Sequence, residues 1–407
     1  MEIIKIAWRN LWRNKVRSLI VIMAVCLGMI GGGFSTALMI GAVNKRIETA
    51  IGNETAHVQV NKKGYVDNPD INLLIDNAKE QSEKYLSIDE VQGVSCRLIV
   101  NAMMSSTRNA TGVNLVGVNP KNEKQISSLY TKIENGDFFE EEKRNQIIIS
   151  KKLAEELNAD IRTKLVLSFQ DIDGVLTGAS FRVSGIYHTG NNMFDQANVF
   201  VRRSDLERLT GISNNSAHEI AILFADNDDL KERTAKISSV SPESVTVRNW
   251  EEIMPDLSMM SAMTEQFLSY LVAIILFALA FGIINTMLMA VLERRKEIGM
   301  LMALGMNRKK IRRMITWETL FLTTIGSVAG LCINQLLVWY FGTYGLDLSS
   351  YSEGFASFGF EAVMYPEISG MFYIQIVGLV IITALVSAIF PIRRAVRMNP
   401  ADVLRTE

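Results

Sequence analysis

The chain has 407 residues, a formal net charge of -1, 3 histidines and 3 cysteines, which gives room for two or three domains. The near-neutral charge argues against nucleic acid as a partner. His57, His188 and His218 are scattered among Cys26, Cys96 and Cys332 without paired metal spacing, and Cys96 stands alone in the polar part of the chain, so neither a metal centre nor a disulfide within that part is expected.

Residues 1–17 carry Lys5, Arg9, Arg13, Lys15 and Arg17 against Glu2 alone, and Ile4, Trp8, Leu11 and Trp12 can line one helical face. The pattern predicts an interfacial helix, apolar side down, with cations toward anionic membrane lipids. Residues 18–44 follow without a charge, and about 20 apolar residues suffice to cross a membrane. The run is too long for a signal-peptide core and ends without a small-x-small cleavage site, so it reads as an uncleaved first span. Gly28, Gly32 and Thr36 put small groups on one face, which lets two backbones approach closely. They fit helix packing within the chain, a subunit interface or a substrate gate.

Residues 45–265 form a long polar segment. Strand patterns fall at His57–Val60, Ser95–Met103, Val113–Val118, Gln146–Ile149, Lys164–Phe169, Ser180–Ile186, Ala197–Val201, Glu219–Phe224 and Ser244–Val247. Helical patterns fall at Asn72–Leu86, Lys152–Leu157, Arg203–Leu209 and Asp228–Ser238. The mixture predicts an α+β domain. At about 220 residues it has room for two subdomains, with about 120–205 inserted. Asp173-Gly174 lies between two strand patterns and signals a hairpin. Toward the end of the segment Met254, Met259, Met260 and Met263 cluster. Methionine adapts to irregular apolar partners, so Met259, Met260 and Met263 read as a packed stalk or as a soft wall where a lipid-like substrate enters.

Three further spans are placed at 266–292, 314–341 and 371–392. Asn285 and Thr286 in the second are expected to act as helix–helix glue, and Gly326 and Gly330 in the third form another small-residue pair. Residues 293–313 carry Arg294, Arg295, Lys296, Arg308, Lys309, Lys310, Arg312 and Arg313 against Glu293 and Glu297. Gly305 is expected to break this stretch into two helical pieces, with Ile298, Leu301, Met302 and Leu304 on one apolar face. The loop 342–370 holds Asp347, Glu353, Glu361 and Glu367 without lysine or arginine, and the tail 393–407 holds Arg393, Arg394, Arg397 and Arg405. Basic segments stay in the cytoplasm, so 1–17, 293–313 and 393–407 are expected inside. The 45–265 domain and the 342–370 loop are then outside.

ERRKEIGMLMALGMNRKKIRRM resembles the cytoplasmic coupling segment of FtsX/MacB-type ABC transporter permeases, roughly E-R-x-x-E-I-G-x-x-x-A-x-G, with Glu293, Arg294, Glu297, Ile298, Gly299, Ala303 and Gly305 on the pattern. PIRRAVRMNPADVLR resembles the closing segment of that family, with Pro391, Arg394, Ala395, Arg397, Pro400, Leu404 and Arg405 matching. GDFFEEEKRNQIIISKKLAEELN and FRVSGIYHTGNNMFDQANVFV are similar to two of its outer-domain elements. The second points to the LolC/LolE lipoprotein-releasing branch through Phe181, Val183, Gly185, Ile186, Gly190 and Asp195, the last of which, with both glycines, also reads as turn chemistry.

The resemblance implies a four-helix membrane protein of the inner membrane with a MacB-like α+β core domain in the periplasm. It implies a dimeric permease with no catalytic residue or cofactor of its own, completed by a second copy or a homologous chain. The sequence has no G-x-x-x-x-G-K-[ST] phosphate loop, so ATP and Mg are assigned to two copies of a separate ATP-binding subunit. Glu293, Arg294, Glu297, Arg308 and Lys309 would meet that subunit, while Gly299 and Gly305 would fit the segment into its groove. In the LolC branch a protruding hairpin captures a periplasmic carrier. Its counterpart here, Gln170–Ala179 with Asp171, Asp173 and Gly174, is short and lacks proline. The expected function is lipoprotein release, with MacB-like export of peptides or drugs and FtsX-like control of a cell-wall hydrolase as alternatives.

Overall fold

The computed structural model describes residues 2–139 and 143–398, so the tail positions Pro400, Leu404 and Arg405 lie outside the described residues. The chain divides into two units, one of Met1–Ala42, Ser261–Asp347 and Val363–Glu407, the other of Val43–Met260 and Leu348–Ala362.

The first unit is helical. Its elements are α1 (Glu2–Arg13), α2 (Lys15–Ala50), α3 (Pro255–Glu293), α4 (Arg295–Ala303), α5 (Arg308–Tyr344) and α6 (Gly370–Val396), with α2 and α3 running on into the second unit. Among the described residues four helices are long and apolar enough to cross a membrane: those built on α2, α3, α5 and α6. Each outruns its uncharged stretch, because a helix ends at caps and breakers rather than at the first charge. Thus α5 begins at Arg308, where Asn307 Oδ1 accepts from Lys309 N at 3.1 Å. Pro391 lies inside α6, which runs on to Val396. Backbone groups freed by a proline in such a helix are satisfied by its neighbours.

Small residues find their partners inside this unit. A Cβ at Gly28 would lie 3.4 Å from Leu279 Cδ1, and one at Gly32 would lie 2.9 Å from Ile275 Cδ1, so this face of α2 meets α3 of the same chain. Of the three readings of Gly28 and Gly32, these contacts fit packing within the chain. Gly326 and Gly330 of α5 meet Val25, Cys26 and Met29 on another part of α2. The buried Asn334 lies against Gly33, and its Nδ2 donates to Tyr373 Oη at 3.4 Å. The α1 face splits: Ala7 and Leu11 are buried while Ile4, Trp8 and Trp12 stay exposed, with Trp8 edge-on to Phe321 of α5 at 5.3 Å.

The outer unit is built on a 10-stranded sheet. Its strands are β1 (Val58–Lys62), β2 (Val91–Ser105), β3 (Ala110–Val118), β4 (Ile133–Gly136), β5 (Gln146–Ser150), β6 (Lys164–Gln170), β7 (Leu176–Tyr187), β8 (Asn198–Arg202), β9 (Glu219–Phe224) and β10 (Val245–Asn249). The order is β10-β1-β9-β2-β3-β8-β5-β7-β4, with β6 pairing both β2 and β7. The long β2 serves two lobes, since Val91–Arg97 pair with β9 and Ala102–Ser105 pair with β6. One core gathers Val58, Ile75, Tyr85, Ile222 and Trp250, and the other gathers Leu98, Leu115, Ile147, Phe181 and Leu206. The inserted lobe therefore starts at Leu98 rather than near residue 120, because a single strand runs through both cores.

β4 carries no alternating pattern and escapes sequence reading. The first helix of the outer unit covers only Ala78–Leu86. The expected start at Asn72 fails because Asp70 Oδ1 accepts from Asn72 N at 2.8 Å, a local turn bond that competes with helix. Residues Leu348–Ala362 return to this unit, where Glu361 pairs with Lys132 at 3.3 Å and Gly359 approaches the Arg46 guanidinium.

All three histidines are structural. His57 Nδ1 accepts from Phe224 N at 3.1 Å, and His218 Nδ1 accepts from Ile99 N at 3.0 Å. Burial, first among the causes, lowers both to about 4 from 6.5. Between those values the unfolded chain binds more protons, so stability falls as pH falls through that window. The loss is on the order of 3 kcal/mol for each histidine. His188 acts in the opposite sense: the hydrogen bond to Asp195 raises it, and that support fades as pH rises. Hydrogen exchange at β1 and β9 is expected to lose protection between pH 7 and 4, with a shallower pH slope in His218→Gln. Equal slopes would contradict the assignment.

Candidate coupling site

At the basic end of the helical unit the chain makes an elbow. α3 stops at Glu293, α4 runs for nine residues, and α5 begins at Arg308. The stop after α4 is a glycine cap. Gly305 has φ +92, Met306 N donates to Leu301 O at 2.9 Å, and Gly305 N donates to Met302 O at 3.0 Å. That pairing uses the last free carbonyls of a helix and requires a left-handed residue. Gly305 thus divides the segment as expected, and its role is to end α4. Gly299 is buried with Ile298 on the inward side of α4.

Two ion pairs fix the elbow to the bundle. Arg13 Nη2 donates to both carboxylate oxygens of Glu297, at 2.6 and 2.5 Å. Arg294 Nη1 donates to Glu318 of α5 at 2.7 Å, in a largely buried pair. Arg294 Nε also reaches Glu297 Oε2 at 3.4 Å. The hydrogen bond from Arg13 holds the Glu297 carboxyl below the usual carboxylate range. Glu297, expected to reach out to a partner subunit, is thus held by its own chain. Local sequence reasoning had no access to Arg13 as its partner, 284 residues away.

What faces outward is different. Met300 is exposed, and Leu304 at the tip of the elbow is 80% exposed. Beside them Arg308, Lys309 and Lys310 are exposed in the first turn of α5, which holds no acidic residue. A helix N-terminus favours acids over cations. These cations work against their own helix, and such a breach of a local rule marks a surface with another use. An open groove of about 340 Å³ runs among α1, α3, α4 and α5, lined in part by Ile6, Met287, Ile298 and Met314.

The other sequence-predicted positions lie elsewhere. Met259 and Met263 are exposed on α3, while Met260 packs on the core of the outer unit. Thr286 Oγ1 donates to Gly282 O of its own helix at 2.7 Å, and Asn285 is exposed, so among the described residues neither joins two helices. Asp171, Asp173 and Gly174 form the turn between β6 and β7. Asp171 Oδ1 accepts from Asp173 N and Val175 N, and Gly174 has φ +77. Asp195 is fully buried and accepts from Thr189 Oγ1 at 2.6 Å, as turn chemistry requires.

Four apolar helices long enough to span a membrane and a large two-lobed α/β domain make up a membrane permease. The chain belongs to the FtsX/MacB family of ABC transporter permeases. The family described as FtsX-like permease C-terminal matches residues 269–400, and the MacB-like periplasmic core domain matches residues 18–240. The uncharacterized ABC transporter permease MJ1507 of Methanocaldococcus jannaschii is 25% identical over 68% of this chain and 66% of its own. The pyoverdine export ATP-binding/permease protein PvdT of Pseudomonas fluorescens is 23% identical over 100% of this chain and 60% of its own. The lipoprotein-releasing system transmembrane protein LolC of Neisseria meningitidis is 22% identical over 97% of this chain and 96% of its own. The chain thus spans less than two thirds of the length of the first two relatives.

Proposed function

We propose that this chain is the membrane subunit through which a separate ATP-binding subunit, present in two copies, drives motion of the outer domain. The observation that carries the proposal is the elbow: an apolar tip at Met300 and Leu304, flanked by the cations that open α5. In this reading the elbow is cytoplasmic, the membrane is an inner membrane and the outer domain is periplasmic. ATP and Mg act on the partner. A second copy or a homologous chain completes the permease.

Leu304→Glu puts a charge on the apolar tip without touching either ion pair. The expected outcome is loss of ATP-binding subunit from the purified complex by at least about tenfold, the equivalent of 1.4 kcal/mol. Unchanged recovery of that subunit would remove the elbow as its seat.

Lipoprotein release is the favoured cargo reading. It draws support from similarity to LolC along nearly the whole chain and from the Phe181–Asp195 element. In that reading the β6–β7 turn is the candidate carrier contact, and exposed Met259 and Met263 line the cargo entry. Export of a peptide or other small product is the second reading, supported by similarity to PvdT. Photo-crosslinking from position 259 or 263 separates them: acylated protein supports release, and an unacylated small product supports export.

A further inference from the structure

We propose that α1 is a lever gripped by anionic lipid, whose seat on the membrane surface sets the position of α4 through the Arg13–Glu297 contact. Coupling then responds to the charge of the membrane leaflet. The inference rests on the reading that the elbow meets an ATP-binding subunit.

Three observations converge. First, α1 has one seated face and one free face. Ala7 and Leu11 are buried in the bundle, while Ile4, Trp8 and Trp12 are exposed beside exposed Lys5 and Arg9. From Ile3 to Arg13 the sequence holds no acid, so the free face complements phosphate headgroups, with tryptophan at the depth where amphipathic rings sit. Second, the C-terminal residue of α1 departs from that pattern. Arg13 bonds α4 through Glu297, and both side chains are about half exposed. A pair this exposed is weak and easily exchanged, so small shifts of α1 make or break this contact while the buried Arg294–Glu318 pair keeps the start of α4 on α5. Third, α1 and α4 face a shared open groove of about 340 Å³, with Ile6, Asn10 and Arg13 on one wall and Glu297, Met300 and Leu301 on the other. A shift of α1 therefore changes a surface that α4 also lines.

The test uses the full chain with its ATP-binding partner in phosphatidylcholine vesicles, with or without phosphatidylglycerol. ATP hydrolysis and partner retention are both read. Wild-type complex is expected to hydrolyse ATP several-fold faster when phosphatidylglycerol is present. Lys5→Gln combined with Arg9→Gln loses that response with the Arg13 contact intact. Glu297→Gln loses it while retaining the partner. Arg13→Glu alone also loses it, and Arg13→Glu with Glu297→Arg recovers it, which a merely structural role for either side chain would not predict. A wild type indifferent to phosphatidylglycerol, a Glu297→Gln response equal to wild type, or failure of the reversed pair to recover it overturns the proposal. Absence of the partner from wild-type vesicles overturns the coupling reading beneath it.

Discussion

Arg97→Met is expected to destabilise the outer unit by about 3–5 kcal/mol. Arg97 lies on β2 just before the strand changes partner from β9 to β6, and it is buried with Glu123 and Glu219. Its guanidinium donates to Glu123 Oε1 at 2.6 Å, to Glu219 Oε1 at 2.9 Å and to Glu54 O at 3.2 Å. Two carboxylates thus share one cation, and burial leaves Glu219 above its ordinary range even with Arg97 present. Removing the cation from a buried pair costs about 3–5 kcal/mol. The whole stability of a domain is about 5–15 kcal/mol. In the variant a carboxylate escapes by taking up a proton, so its folded pKa rises further above the unfolded one. A group raised in this way supports the fold at low pH and loses that support as pH rises. The variant is therefore least stable at high pH, opposite to the histidine effect. Hydrogen exchange at β2 and β9 in the full chain measures it. Protection equal to wild type would show that the triad does not hold this part of the sheet together.

The second large effect lies in the membrane unit. A Cβ at Gly330 would sit 2.7 Å from Met29 Cβ and 3.1 Å from Cys26 Cα. The second contact is backbone, so no rotamer change relieves it, and α2 itself must move. Gly326 is as tight, 2.8 Å from Val25 Cβ and 3.0 Å from Ile22 O. Gly330→Leu is expected to cost at least the upper end of the about 1–3 kcal/mol typical of overpacking. It should abolish recovery of monodisperse protein from detergent. Gly31→Leu is the matched control, because nothing lies within 4 Å of a Cβ built there. Equal thermal inactivation of the two variants would mean that α2 and α5 do not pack through these glycines.

The contrast between Gly31 and Gly330 also explains what could be read from the residues alone. Span length and the placement of cations are sums along the chain, so four spans and a basic elbow were legible without contacts. So was the helix break at Gly305, which is a local matter. Partner choice is not local. The spacing of Gly28 and Gly32 announces a close approach but not that α3 of the same chain makes it. The motif around Glu297 announces importance but not that Arg13 holds the carboxylate. In the outer domain most strands were legible from alternation, yet β2 reads as one strand and serves two cores. β4 had no pattern to read. The exposed tip at Leu304 looked like one more apolar residue on a helical face, and only the surrounding fold shows it turned outward.

The outer unit is assembled from two separated pieces of chain, and this bears on any attempt to excise it. A soluble fragment covering 43–260 omits 348–362, the piece that supplies Glu361 to Lys132 and lays Gly359 against Arg46. Arg46 would keep Glu54 at 2.9 Å but lose the backbone that shelters it from water. A faithful truncation therefore has to graft the second piece back, and a binding partner captured by the shorter fragment could be filling the seat left by the missing peptide.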